Sequence, residues 1–147
     1  MTMDPLIITC APVGAEIMPE QTPNLPVTPA QLGETAAKIA QAGASIIHVH
    51  CREDDGTNTH AVARFHAAYS AIRLNSDLIV QFSTGGAIGM RPDERAAVLQ
   101  LRPEMATLTC GSVGIRAIAR SMRALRARCW ASDAAEPPPP GKGDWCR

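Results

Sequence analysis

Aromatic side chains are scarce: two Trp, one Tyr and two Phe make up 3% of the 147 residues. Single-stranded nucleic acid is held by stacking bases on aromatic platforms, and this chain has too few to build one. Net charge is missing as well, because 14 basic side chains balance 14 acidic ones. That removes bulk electrostatic attraction to nucleic acid or an anionic membrane. No apolar run approaches the roughly 20 residues that a membrane span requires, so no membrane partner is expected. The first five residues have neither a basic segment nor a long apolar one, so no leader peptide is expected either. The cysteines, at 10, 51, 110, 129 and 146, are odd in number and contain no CxxC. Such a pattern excludes a disulfide framework and points to reduced thiols in a cytoplasmic protein.

Apolar residues are plentiful, at 46%, enough for one domain with a real core. They fall in an alternating order. Leu6-Ile7-Ile8-Thr9-Cys10 is a short β-branched run that reads as a buried strand. A long loop with four prolines follows, from Ala11 to Val27. Thr28-Pro29-Ala30-Gln31 then carries an N-cap, an N1 proline and the glutamine of a capping box. The helix it opens runs to about Ala42, where Gly43 suits a left-handed stop. A second strand covers about Ser45 to Cys51. Arg52-Glu53-Asp54-Asp55-Gly56 reads as a charged turn. The stripe Val62, Phe65, Tyr69, Ile72 predicts a helix over about 60–74. Leu78 to Ser83 is a third strand, Pro92 to Leu101 a short helix, and Met105 to Cys110 a fourth strand.

The order β-loop-α-β-α-β-α-β implies a parallel sheet with right-handed crossovers. An open doubly wound sheet and part of a (β/α)8 barrel both satisfy it. Side-chain alternation favours the barrel. Leu78, Val80 and Phe82 share one face while Gln81 and Ser83 share the other. Thr107 and Thr109 lie opposite Ala106 and Leu108. One apolar face, and one face turning polar toward the C-terminal strand ends, is the pattern of a barrel with its site at the mouth.

The chemistry gathers at the end of the second strand. His48 and His50 are two residues apart, so on a strand their imidazoles share a face. Two neutral imidazoles suit Zn2+, whose catalytic sites usually have three protein ligands. The plainer alternative is a pair of interior histidines bonded to their neighbours. Ser83 and Thr107 could hold a carboxylate or carbonyl by hydrogen bonds, although hydroxyls commonly end strands. Gly85-Gly86 could offer backbone N–H groups to an anion, or simply make a turn. Glu16, in the proline-rich loop, could meet a cationic group or stand in solvent. Arg52 and Glu53 are candidates to support a metal site from behind, or else belong to a solvated turn. His60 and His66 read as surface residues. Cys10, Cys51 and Cys110 end strands and read as small core residues.

Several of these segments together resemble one family. They are Thr9 to Glu16, Pro23 to Pro29, His48-Val49-His50-Cys51-Arg52-Glu53-Asp54-Asp55-Gly56, Ser83-Thr84-Gly85-Gly86, and Arg102 to Leu108. In order and spacing over residues 5–113 they resemble the β-keto acid cleavage enzymes. The nearest branch is the 3-keto-5-aminohexanoate cleavage enzymes of lysine fermentation. The resemblance implies a zinc-bearing (β/α)8 barrel that exchanges acyl groups between a β-keto acid and acetyl-CoA, giving acetoacetate and a new acyl-CoA. It implies His48 and His50 as zinc ligands. It implies Ser83, Gly86 and Thr107 as the holders of the keto acid's carboxylate and carbonyl end, and Glu16 as the contact to a substrate ammonium. The family's third ligand, a glutamate, and its acid/base carboxylate and arginine come from later strands and have no counterpart in this sequence.

Residues 1–113 therefore read as the N-terminal half of a (β/α)8 TIM barrel with about four parallel strands. Residues 114–125 read as a basic amphipathic helix. Residues 126–147 contain no Val, Ile, Leu, Met or Phe but four consecutive prolines, and read as a disordered tail. Their Arg, Ala, Pro and Trp content also resembles GC-rich coding sequence read in a shifted frame. A truncated, inactive enzyme is the first expectation. A non-catalytic half-barrel, homo-oligomeric through its open edges, is the alternative. A different metal-dependent lyase or hydrolase sharing only the H-x-H pair is a third.

Overall fold

Thr28 sets the first helix. Its Oγ1 accepts from Gln31 N at 3.2 Å, and Gln31 Oε1 accepts from Thr28 N at 2.9 Å. This reciprocal pair satisfies two of the amides that a helix start leaves unpaired. A computed structural model of the chain describes residues 5–15, 17–86 and 90–108. Among them six strands and three α-helices follow in order: β1 Thr9–Cys10, α1 Pro29–Gln41, β2 Ile46–Val49, β3 Cys51–Arg52, β4 Asn58–Thr59, α2 Val62–Asn75, β5 Ile79–Phe82, α3 Pro92–Ala96 and β6 Met105–Ala106. A 3-10 turn over Ala97–Leu101 continues α3. Glu16, Cys110 and the segments 114–125 and 126–147 lie outside the described residues.

Strands β1, β2, β5 and β6 form one parallel sheet in that spatial order. Successive parallel neighbours joined by helices are consistent with part of a (β/α)8 barrel. Ile47, Val49, Val80 and Phe82 are fully buried against Leu32, Ala36, Phe65, Ala68 and Ile72 of the two long helices. Phe65 meets Phe82 edge-on at 5.0 Å between ring centroids, a favoured aromatic geometry. The opposite sheet face carries Ile46, His48, Ile79, Gln81 and Met105, since strand neighbours alternate sides. Register sets His48 beside Gln81, and Gln81 beside Met105. The expected division of faces thus holds, with polar residues toward the strands' C-terminal ends.

Four expectations need correction. The first strand is not a buried run from Leu6: it covers only Thr9–Cys10 at an edge of the described sheet, and Leu6, Ile7 and Ile8 before it are exposed. The second strand stops at Val49, and the chain then forms an antiparallel hairpin, β3–β4, that the charge pattern concealed. Arg52 is not in a solvated turn but buried, at 1% exposure. His60 is not a surface residue: it precedes α2 and is half-buried, its Nε2 lying 3.2 Å from the Ser83 carbonyl. His66 is exposed as expected, and Cys51 is in the core, while Cys10 is only partly covered.

Candidate metal and substrate site

The histidine pair is built by strand geometry. His48 lies in β2, and His50 in the one-residue break before β3. Their rings meet edge-on with centroids 5.0 Å apart, and their Nε2 atoms are 3.1 Å apart. His48 Nδ1 lies 2.8 Å from Gln81 Oε1. With that nitrogen donating to the amide oxygen, His48 keeps its Nε2 lone pair turned toward His50. Two imidazoles on one tetrahedral zinc, with bonds near 2.0–2.1 Å, hold their ligating atoms about 3.3 Å apart. The observed spacing and the tethered Nδ1 both fit that donor set. Gln81 has no titratable group to draw attention in a sequence; only its register with His48 reveals it. Among the described residues no group of three or more His, Cys, Asp or Glu could hold a metal ion; His48 and His50 could supply two ligands.

Burial pushes the His50 imidazole down to about 4, helped by the neighbouring His48, His60 and Arg52 charges. Neutral imidazole is the form that ligates a metal. His60 is also held below the ordinary histidine value, first by burial, with Arg95 acting in the same direction and its bond to Ser83 opposing. Its Nδ1 is buried without a partner among the described residues.

The hydroxyl residues lie at the ends of the neighbouring strands β5 and β6. Thr107 Oγ1 accepts from Thr84 N at 3.0 Å, and Thr84 Oγ1 donates to Thr107 O at 2.7 Å. Ser83 Oγ accepts from Gly85 N at 3.3 Å. Ser83 Oγ therefore takes a backbone N–H and retains an O–H to donate, while Thr107 Oγ1 takes a backbone N–H and also lies 3.4 Å from Thr84 Oγ1, which can accept its proton; a hydroxyl donor suits a carboxylate or carbonyl. Gly86 has φ of 65°, and a Cβ there would lie 2.8 Å from Arg95 Cγ. The left-handed backbone is what favours glycine at that turn, since the crowding comes from a flexible side chain that can shift. The bonds between Thr84 and Thr107 draw the β5 and β6 ends together, and His60 ties the β5 end to the start of α2. Glu16 cannot be placed, being outside the described residues, but its neighbours can. Gly14, Ala15 and Ile17 carbonyls accept from Arg52 and Asn58 of the hairpin.

Comparison with known proteins gives this arrangement its context. The family model for the beta-keto acid cleavage enzymes matches residues 5–134. The 3-keto-5-aminohexanoate cleavage enzyme of Fusobacterium nucleatum is 50% identical over 111 residues, 75% of this chain and 41% of that protein. The Acetoanaerobium sticklandii enzyme of the same name is 48% identical over 111 residues, with the same two shares of 75% and 41%. A 3,5-dioxohexanoate:acetyl-CoA acetone transferase of Paraburkholderia graminis is 42% identical over 110 residues, 74% of this chain and 36% of that protein. The chain thus spans about two-fifths of the length of these relatives.

Proposed function

The chain belongs to the β-keto acid cleavage enzyme family, and from that premise we propose that its strand ends form the zinc- and keto-acid-binding half of an acyl-exchange site. The substrate is an amino-bearing β-keto acid of the 3-keto-5-aminohexanoate class, and acetyl-CoA is the acyl acceptor. Cleavage leaves acetoacetate and a new acyl-CoA. The observation that carries the reading is the His48–His50 pair, with Nε2 atoms 3.1 Å apart and His48 Nδ1 tied to Gln81.

His48 and His50 hold the ion, which when bound supplies a Lewis acid for the β-keto oxygen. Gln81 keeps the His48 ring turned so that its lone pair faces inward. Ser83 donates its O–H to the substrate's carboxylate end, and Thr107 does the same by exchanging its 3.4 Å contact with Thr84 Oγ1 for the ligand, fixing the scissile C–C bond relative to the histidines. The turn at Gly86 lets the backbone come close to that carboxylate, and Glu16 meets the substrate's ammonium.

Two imidazoles alone make a weak site, so the purified 147-residue chain is expected to bind zinc weakly and to show no acyl exchange. Zinc titration against a chelating dye, with His48→Ala as control, tests the ligand assignment. Loss of zinc in the variant supports it, and unchanged stoichiometry removes it. Robust acetoacetate formation by this chain from a β-keto acid and acetyl-CoA would overturn the half-site reading. A non-catalytic, self-associating half-barrel is the second reading. It draws on the exposure of Ile79 and Met105 on the inner sheet face, at 42% and 38%.

A further inference from the structure

Arg52 is a fully buried guanidinium whose hydrogen bonds to oxygen all go to main-chain carbonyls. It donates to Gly14 O at 2.8 Å, Ile17 O at 2.5 Å and Gly56 O at 2.6 Å. Its cross-strand partner in the β3–β4 hairpin is Asn58, whose Nδ2 donates to Ala15 O. The hairpin turn adds a steric contact. Gly56 has φ of 83°, and a Cβ there would lie 2.5 Å from Pro19 Cγ. Three independent features of one hairpin therefore grip one stretch of the loop after β1. A buried cation is costly unless its donors are satisfied; the two terminal nitrogens of Arg52 are, while its Nε is buried without a partner among the described residues. A structural arginine could meet that need with any nearby carbonyls. Here the acceptors on the loop are consecutive or nearly so, and Arg52 leaves the chain only two residues beyond His50.

We propose that Arg52 and Asn58 are positioning residues that clamp the β1–α1 loop, through the carbonyls of Gly14, Ala15 and Ile17, to the hairpin that begins directly after His50, and so hold that loop in place for the keto acid. The proposal rests on the acyl-exchange reading for its substrate, but the clamp itself does not. An arginine is needed because its planar fork spans several carbonyls at once, which a lysine ammonium on a flexible stem does not reproduce. Gly56 is needed because any side chain would push the loop away.

Amide hydrogen exchange on the full chain, read by mass spectrometry, tests the clamp without requiring activity. Arg52→Lys, Asn58→Ala and Gly56→Ala are compared with the unaltered chain. Peptides covering residues 13–19 are expected to exchange about tenfold faster or more in each variant. Peptides covering 46–50 and 79–82, and the zinc stoichiometry, are expected to stay the same. Restoration of loop protection by Arg52→Lys would reduce Arg52 to a generic buried charge and overturn the proposal. So would faster exchange spread evenly over the sheet, which marks a merely structural role. Failure of zinc binding in the unaltered chain, with loop protection still lost in the variants, would sink the reaction assignment and leave the clamp standing.

Discussion

On the proposed zinc reading, Gln81 orients His48 through the 2.8 Å contact of its Oε1 with the ring Nδ1. Truncating it leaves the imidazole free to rotate and its Nδ1 unpaired, so Gln81→Ala should weaken zinc binding by about 10–100-fold, measured by competition with a chelating dye. His50 contributes to the acid limb of stability, in the same direction as His60, whose imidazole burial also holds down. The folded His50 value of about 4 lies below the ordinary 6.5, so between these two pH values the unfolded chain binds a proton that the folded chain refuses. The contribution is complete above about 6.5 and is lost as pH falls toward about 4. Allowing for the part-exposed ring, the loss in the metal-free chain is on the order of 1–2 kcal/mol. Urea unfolding at several pH values checks it, and His50→Gln should flatten the slope over that interval. Cys51 behaves in the opposite sense. Burial pushes its thiol up to about 12, which keeps the reactive thiolate negligible at pH 8. Iodoacetamide at pH 8 should leave Cys51 unmodified in the folded chain and label it once urea is added; rapid labelling of the folded chain would contradict its burial.

At the scale of elements, α1 and α2 are set by how closely they approach. A Cβ on Gly33 would lie 2.8 Å from the Ala71 carbonyl oxygen and 2.9 Å from Asn75 Nδ2. Ala is the better helix former by about 1 kcal/mol, yet overpacking against a backbone atom typically costs about 1–3 kcal/mol. Gly33→Ala should therefore lower stability, by roughly 1 kcal/mol, in a urea titration. A stabilised variant would mean that the helices can separate freely. Elements such as α1 were legible in the sequence because their signals are local: Thr28, Pro29, Gln31 and Gly43 each act within one turn. The alternation of Val80 and Phe82 against Gln81 was legible for the same reason. The β3–β4 hairpin was not, because its strands are two residues each, too short to show a period. Arg52 and His60 escaped for a related reason. Their burial comes from the loop after β1 and from the β5 end, partners far away in the chain, and nothing in the run Arg52 to Gly56 announces them. The pairing of His48 with His50 needed only a spacing of two, whereas the role of Gln81 needed the inter-strand register.

Among the described residues, the side of the sheet that carries Ile46 buries that residue but is only partly covered elsewhere. Ile79 and Met105 stand on the face opposite the helices, at 42% and 38% exposure, with Leu6 and Ile7 at 81% and 73% just before the β1 edge and Leu108 at 59% just after β6. Within the described sheet, β1 and β6 are edge strands, each with a neighbour on one side only. Open strand edges next to apolar side chains invite pairing with another chain. The four parallel strands among the described residues are half the count that closes a (β/α)8 barrel, and a second copy is one way to cover the open edges. The 147-residue chain is therefore expected to self-associate at micromolar concentration, measured by sedimentation velocity. Ile79→Lys places a charge at the middle of the inner face without touching Val80 or Phe82, which face the helices. It should shift the chain toward monomer while the far-ultraviolet circular dichroism stays the same. Association unaffected by this change would move the contact away from the inner face, and a unaltered chain that sediments as a monomer would remove self-association altogether. The same variant separates the two functional readings. Zinc bound through His48 and His50 should survive it if the pair is a ligand set in each chain, and should fall with the dimer if the second copy helps to hold the ion.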